Sequence, residues 1–305
     1  MKRLIPLLVA LGLVLAACGG SSSEVAATVG DTEIPVSEIE ELTGQSGDEL
    51  DSSSQAFSQA LTTLITWSIT EQAAAEQFGY TPTEDEIEEQ LETILGNAGY
   101  ESLDQMAEAE GVAEKTLRRY IVQLMTQDAI YAELQATVEA PTAEDVNNEI
   151  AVAPRNWTTV CASHILVVTE EEAQDALARI SDEGDFAVVA TEVSTDTQSA
   201  INGGSLGCAA AGSFVDSFAQ ATVDAPIGEV VGPVETEFGY HLILVTERTE
   251  ATNEEVSAAL TEASIASVAD EWFVAVTDAA VVVVSEGFGT WVTDPTPQIV
   301  VTSEG

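Results

Sequence analysis

Two histidines serve 305 residues, and both sit in apolar, strand-like runs: His164 in "ASHILVV" and His241 in "GYHLILV". Imidazole can change charge near neutral pH, and each of its two nitrogens can make a hydrogen bond. Two such rings on neighbouring strands can fix each other's tautomers. A zinc site needs more ligands than two histidines and the scattered Cys161 and Cys208 supply, and the spacing is not that of a zinc motif. No metal and no cofactor is expected. Between the histidines lie "GGSLG" and "SFVDSF". Gly203, Gly204 and Gly207 suit tight turns better than a phosphate cradle. Phe214 and Phe218, four apart, share one helical face, as core or as the wall of a pocket.

The elements that must position these residues follow from the pattern around them. "TVCASHILVV" reads as a strand, "EEEAQDALARI" and "DFAVVATEV" as helices, and 194–205 as a polar loop. "SFVDSFAQATV" is helical, and "EVVGPV" and "YHLILVTER" are strands. This βααβαββ order, within about 90 residues, predicts a compact α+β domain on a mainly antiparallel sheet.

The segments "ASHILV", "GDFAVVATEVSTD", "GGSLG", "SFVDSF" and "GEVVGPVETEFGYHLILV" together resemble the parvulin (rotamase) family of peptidyl-prolyl cis-trans isomerases over nearly all of 160–248. The resemblance implies a four-stranded sheet with helices over 156–250. It assigns His164 and His241 to the paired motif histidines on the floor of the site. Asp196 matches the position close to the isomerising bond, and Thr236 the hydroxyl that joins the histidine network. Leu206, Phe214 and Phe218 match the apolar pocket for the proline ring. Two positions depart from the family pattern: Ser205 replaces the usual acidic residue of the glycine-rich motif, and Phe214 stands where methionine is common. The loop after the first strand, "TEEEAQD", would repel a phosphoserine, so clients with unmodified X–Pro bonds are expected and phosphorylated ones are not.

Residues 24–155 have a different character. "EVAATVGDTEIPV" predicts a hairpin about Gly30-Asp31. Phe57, Leu61, Leu64, Ile65 and Ile69 then mark one helix. "TPTE" (81–84) fits a capping box with Pro82 at the first helical position; Ile87, Leu91, Ile94 and Leu95 continue that helix, and Gly96 and Gly99 break it. A helix over 113–138 should turn Leu117, Ile121, Leu124 and Ala132 inward, and Pro141 should start another that ends about Ile150. After Thr249 a long helix and one or two short strands close the chain. The strand near 281–285 lacks a nearby partner and could pair with the hairpin at 25–36. The α+β domain would then be inserted in a helical module built from 24–155 and 251–305. The architecture resembles exported foldases of the SurA and PrsA type, which implies unfolded or partly folded exported polypeptides as partners. A holdase with a vestigial isomerase domain is the alternative.

The ends and the composition bound the setting. Lys2 and Arg3 precede an apolar stretch, Leu4 to Leu15, that is short for a membrane span. "LAAC" then reads as a lipobox, so 1–18 is a lipoprotein leader with Cys18 acylated, and 19–23 is a tether. The chain is expected to be exported and anchored to the outer side of the cell membrane by that lipid. Cys161 and Cys208, the two thiols left, can pair in such a compartment or stay as buried free thiols. Eight basic against 53 acidic residues give a charge of −45, which excludes nucleic-acid binding and a polybasic grip on anionic lipid. With 45% hydrophobic residues the chain can still bury a core.

Overall fold

A computed structural model describes residues 24–45 and 51–301. The leader and Cys18 fall outside them. The described residues form two compact units, one drawn from 24–136 with 269–301 and one from 137–268. The sheet unit therefore includes 137–155 and 251–268, which the sequence had assigned to the helical module and its tail. The helix after Pro141 packs on the 154–157 turn that opens the sheet unit, and the long C-terminal helix crosses the second division.

The first unit opens with β1 (Val25–Val29) and β2 (Thr32–Pro35), an antiparallel hairpin. Helices α1 (Val36–Thr43), α2 (Gln55–Phe78), α3 (Glu84–Ala98), α4 (Leu103–Glu110) and α5 (Glu114–Gln135) follow. The cap of α3 lies two residues later than the sequence suggested. Thr83, not Thr81, accepts from the Glu86 N–H, and Glu86 accepts from the Thr83 N–H in return, leaving Pro82 outside the helix. Gly96 does not break α3, which runs on to the left-handed cap at Gly99.

The inward face of α5 also differs from expectation. Leu124 and Ala132 are exposed, and the buried stripe is Thr116, Gln123, Thr126, Ile130 and Leu134, with Ile121 beside it. These spacings of three and four residues define a helix face as well as leucines do. Polar side chains can occupy it because α2 supplies partners: the Gln123 amide donates to Thr70, and Arg119 pairs with Glu71 at 2.8 Å.

The second unit holds α6 (Ala143–Val152), then β3 (Thr158–Val167), α7 (Glu170–Glu183), α8 (Phe186–Val193) and the short α9 (Thr197–Ala200). Strand β4 (Ser205–Ala210), α10 (Asp216–Asp224), β5 (Val230–Thr236) and β6 (Gly239–Glu250) complete a sheet of order β4-β3-β6-β5, antiparallel at each pairing. Two apolar clusters hold it. Ile165, Val167, Phe186, Val189 and Leu242 gather with α7 and α8, and Ala162, Phe218, Ile243 and Val245 gather with α10. Alternation along β3 and β6 feeds both clusters, since successive side chains point to opposite faces.

Helix α11 (Asn253–Ala279) leads to β7 (Val282–Val284), β8 (Thr290–Val292) and β9 (Gln298–Val300). The tail returns to the start of the chain, with β7 pairing with β1 through Ala27↔Val284 and Val29↔Val282. Phe288 stacks on Phe57 at 5.3 Å, and Ile299 joins the same core. The third tail strand, β9, had no counterpart in the sequence reading. Among the described residues no helix is long and apolar enough to cross a membrane.

Candidate active site

The sheet brings the two histidines together across adjacent strands. Leu166 pairs with His241 and His164 with Ile243, so both imidazoles lie on one face, offset by two residues. Their Nδ1 atoms are 3.1 Å apart. Both rings are buried, His164 at 6% and His241 at 4% exposure, so every ring nitrogen needs a partner.

Each has one. His164 Nε2 lies 2.8 Å from Asp196 Oδ2 and 3.1 Å from Ser199 Oγ. His241 Nε2 lies 2.7 Å from Thr236 Oγ1, which itself accepts from the Phe238 N–H. The proton positions follow from the acid at one end. Hydrogen bonds from Ser199 and then from His164 hold the Asp196 carboxyl down to about 2, so it is an ionised acceptor. His164 therefore donates from Nε2, and with its proton placed there its Nδ1 is the acceptor. His241 must then donate from Nδ1, and its bare Nε2 accepts from the Thr236 hydroxyl. The opposite arrangement would aim a lone pair of His164 at a carboxylate. Burial, followed by the neighbouring His164, lowers His241 to about 4, which keeps it neutral.

The wall beside this floor is aromatic. Phe218 meets His241 edge-on at 5.2 Å and His164 at 5.8 Å, and Phe214 lies 5.0 Å from Phe218. Leu206 packs into the same cluster. Phe218 is 3% exposed and Phe214 half-buried, so Phe214 is the more accessible of the two. The seven residues singled out in the sequence, His164, Asp196, Leu206, Phe214, Phe218, Thr236 and His241, thus fall in one neighbourhood.

Two glycines hold the framework. Gly204, at φ +81°, accepts the His164 N–H at its carbonyl oxygen, and a Cβ there would stand 2.3 Å from the His164 carbonyl oxygen. Gly239, at φ +131°, lets the β5–β6 turn approach Val167 as closely. Cys161 and Cys208 face each other across β3 and β4 and are joined by a disulfide. The bridge lies next to the register shifts between Cys161 and Ser163 that precede His164.

A model of the PPIC-type PPIASE (rotamase) domain matches residues 164–247. The foldase protein PrsA of Exiguobacterium sibiricum is 31% identical over 237 residues, covering 77% of this chain and 72% of that protein. The chain belongs to the PrsA foldase family. Within that family, the foldase protein PrsA of Halalkalibacterium halodurans is 33% identical over 175 residues, covering 56% of this chain. The chain spans about half the length of that relative, 53%. The crystal structure of the peptidylprolyl isomerase PrsA from Bacillus anthracis aligns with a TM-score of 0.38 at 22% identity, over 70% of this chain and 91% of that one.

One member of this hydrogen-bond network had no sign in the sequence. Ser199 is buried and bonds both Asp196 and His164. A serine in a polar stretch carries no such signal. Its spacing of three from Asp196, at the start of α9, could have suggested a capping contact.

Proposed function

We propose that the sheet unit is a peptidyl-prolyl cis-trans isomerase for unphosphorylated clients, and that the helical unit holds unfolded exported polypeptides near it. The observation that carries this reading is an aromatic wall set against a floor of paired imidazoles whose N–H groups are spent on Asp196 and on the neighbouring ring. Rotation about an X–Pro bond makes and breaks no covalent bond. It crosses a barrier of roughly 20 kcal/mol because the planar amide is stabilised by resonance, and unaided it takes about 10–100 s. In water the planar form's partly negative carbonyl oxygen is hydrogen-bonded. The floor has no donor left to replace that water, so it withholds stabilisation from the planar amide more than from the twisted one.

Leu206, Phe214 and Phe218 would fix the proline ring while the preceding carbonyl swings. His164 and His241 form the floor. Asp196 and Thr236 act through them, by fixing the tautomers from either end, with Ser199 as a further support of Asp196. Cys18 would carry the lipid that keeps the chain at the outer face of the membrane, since a charge of −45 gives no electrostatic hold on anionic lipid. Glu170, Glu171 and Glu172 in the first turn of α7 favour the unphosphorylated client. The test is turnover of two otherwise identical proline peptides by the full chain. The peptide with an unmodified serine before proline should be isomerised and its phosphoserine counterpart much less so; equal rates would remove the assigned selectivity, and no turnover of either would remove the activity.

A further inference from the structure

A second cavity, in the helical unit, takes no part in the site above. It opens among α1, α2, α3 and α5 with a volume of about 200 Å3. Leu42, Leu64, Trp67, Ile87 and Val122 give it an apolar wall. That volume is below the range of about 300–1,000 Å3 usual for cofactor and drug-sized ligands. It exceeds the roughly 150 Å3 at which an apolar cavity admits benzene. Its natural guest is therefore a single large apolar side chain.

The charged part of the lining says what should stand beside that side chain. Lys115 is paired with Glu41 at 3.1 Å, Arg118 with Glu88 at 2.8 Å and also with Glu84, and Arg119 with Glu71 at 2.8 Å. Half of the six basic residues in the described part of the chain are committed here, and each is already neutralised. Glu38, also in the lining, has no ion pair among the described residues. The unspent charge at the mouth is thus negative, on a chain of net charge −45 whose field draws in cations. A second copy of the chain, with 53 acidic and 8 basic residues, would bring like charge to it.

We propose that this cavity is a client-recognition site: it receives one aromatic side chain from an extended, unfolded segment, and Glu38 pairs with a lysine or arginine next to that aromatic. The inference rests on the reading of the helical unit as the part that holds clients, and adds which segments it selects.

Fluorescence anisotropy with the full chain tests it. The probe is a labelled, proline-free decapeptide with one phenylalanine beside one lysine in a glycine–serine background, so the isomerase site is not engaged. Exchanging the probe's phenylalanine for serine should weaken binding about tenfold or more, a change that cannot unfold the protein. Val122→Phe, which fills the cavity, should do the same. Glu38→Lys should weaken the lysine probe severalfold and strengthen one with glutamate in its place. Equal binding of the phenylalanine and serine probes overturns the proposal, as does binding of free indole that the probe fails to displace. Aggregation of an unfolded client separates the two readings. If the wild type gives no protection, the client-holding reading fails. If wild type and Val122→Phe protect equally, the cavity alone is excluded.

Discussion

Lowering the pH should weaken the sheet unit through His241, by an amount that its burial sets. The folded ring titrates at about 4, against 6.5 for an unperturbed histidine, first because it is buried and second because His164 adjoins it. Its folded value is depressed, so its contribution is complete above pH 6.5 and is lost as pH falls from 6.5 towards 4, where the unfolded chain takes up a proton that the folded chain refuses. A difference of 2.5 units corresponds to about 3 kcal/mol at about 1.4 kcal/mol per unit. The raw stability curve will not isolate this, because protonating the many carboxylates relieves the self-repulsion of a chain at −45 over an overlapping range. The informative quantity is the gap between wild type and His241→Phe in urea denaturation. That gap should shrink by about 3 kcal/mol between pH 7 and pH 4. The chain has two histidines, so an imidazole 15N spectrum shows both rings without ambiguity. It should find His241 protonated on Nδ1, His164 on Nε2, and a His241 midpoint near 4. A midpoint near 6.5, a gap that does not change with pH, or an Nε2-protonated His241 would refute the directed network.

Three other perturbations test the framework. Gly204→Ala forces a Cβ to within 2.3 Å of the His164 carbonyl at a φ of +81°, and should destabilise the sheet unit by about 2 kcal/mol or more in chemical denaturation. Replacing Cys161 and Cys208 together by serine removes a bridge between residues 47 apart, for which chain entropy gives about 4 kcal/mol; thiol labelling of the unfolded, unreduced wild type should find neither cysteine reactive. Phe288→Ala leaves a hole against Phe57 and should cost about 3–5 kcal/mol in the helical unit, whereas a loss near zero would mean that the returning tail adds little to that core.

Some of this was legible in the sequence because the local and global signals agree. His164 and His241 sit in apolar runs that read as strands, and the resemblance implied that the two rings lie side by side; the register puts both on one face of paired strands. The strand at 282–284, apolar and without a neighbour, called for a distant partner, and β1 is that partner. Where the reading failed, polarity misled it. On α5 the buried stripe includes Thr116 and Gln123, which bond Glu41 and Thr70 on other helices, and Thr126, which bonds the Val122 carbonyl of its own helix; periodicity of hydrophobic residues cannot detect such partners. The α3 cap was misplaced because Thr81 and Thr83 each precede an acidic residue by three positions, and only the chain's path into the helix chooses between them. Ser199 was missed because a hydroxyl's role depends on what folds over it.

The central claim is that an X–Pro bond turns against the aromatic wall beside the two imidazoles. Exchange spectroscopy on a proline peptide, with the full chain at catalytic concentration, measures that directly. The account predicts cis–trans exchange cross-peaks on a sub-second timescale, faster than the unaided 10–100 s or so, and their loss in a folded Phe218→Ala protein. Exchange that stays at the unaided rate with the wild type, or that persists undiminished in folded Phe218→Ala, would contradict it.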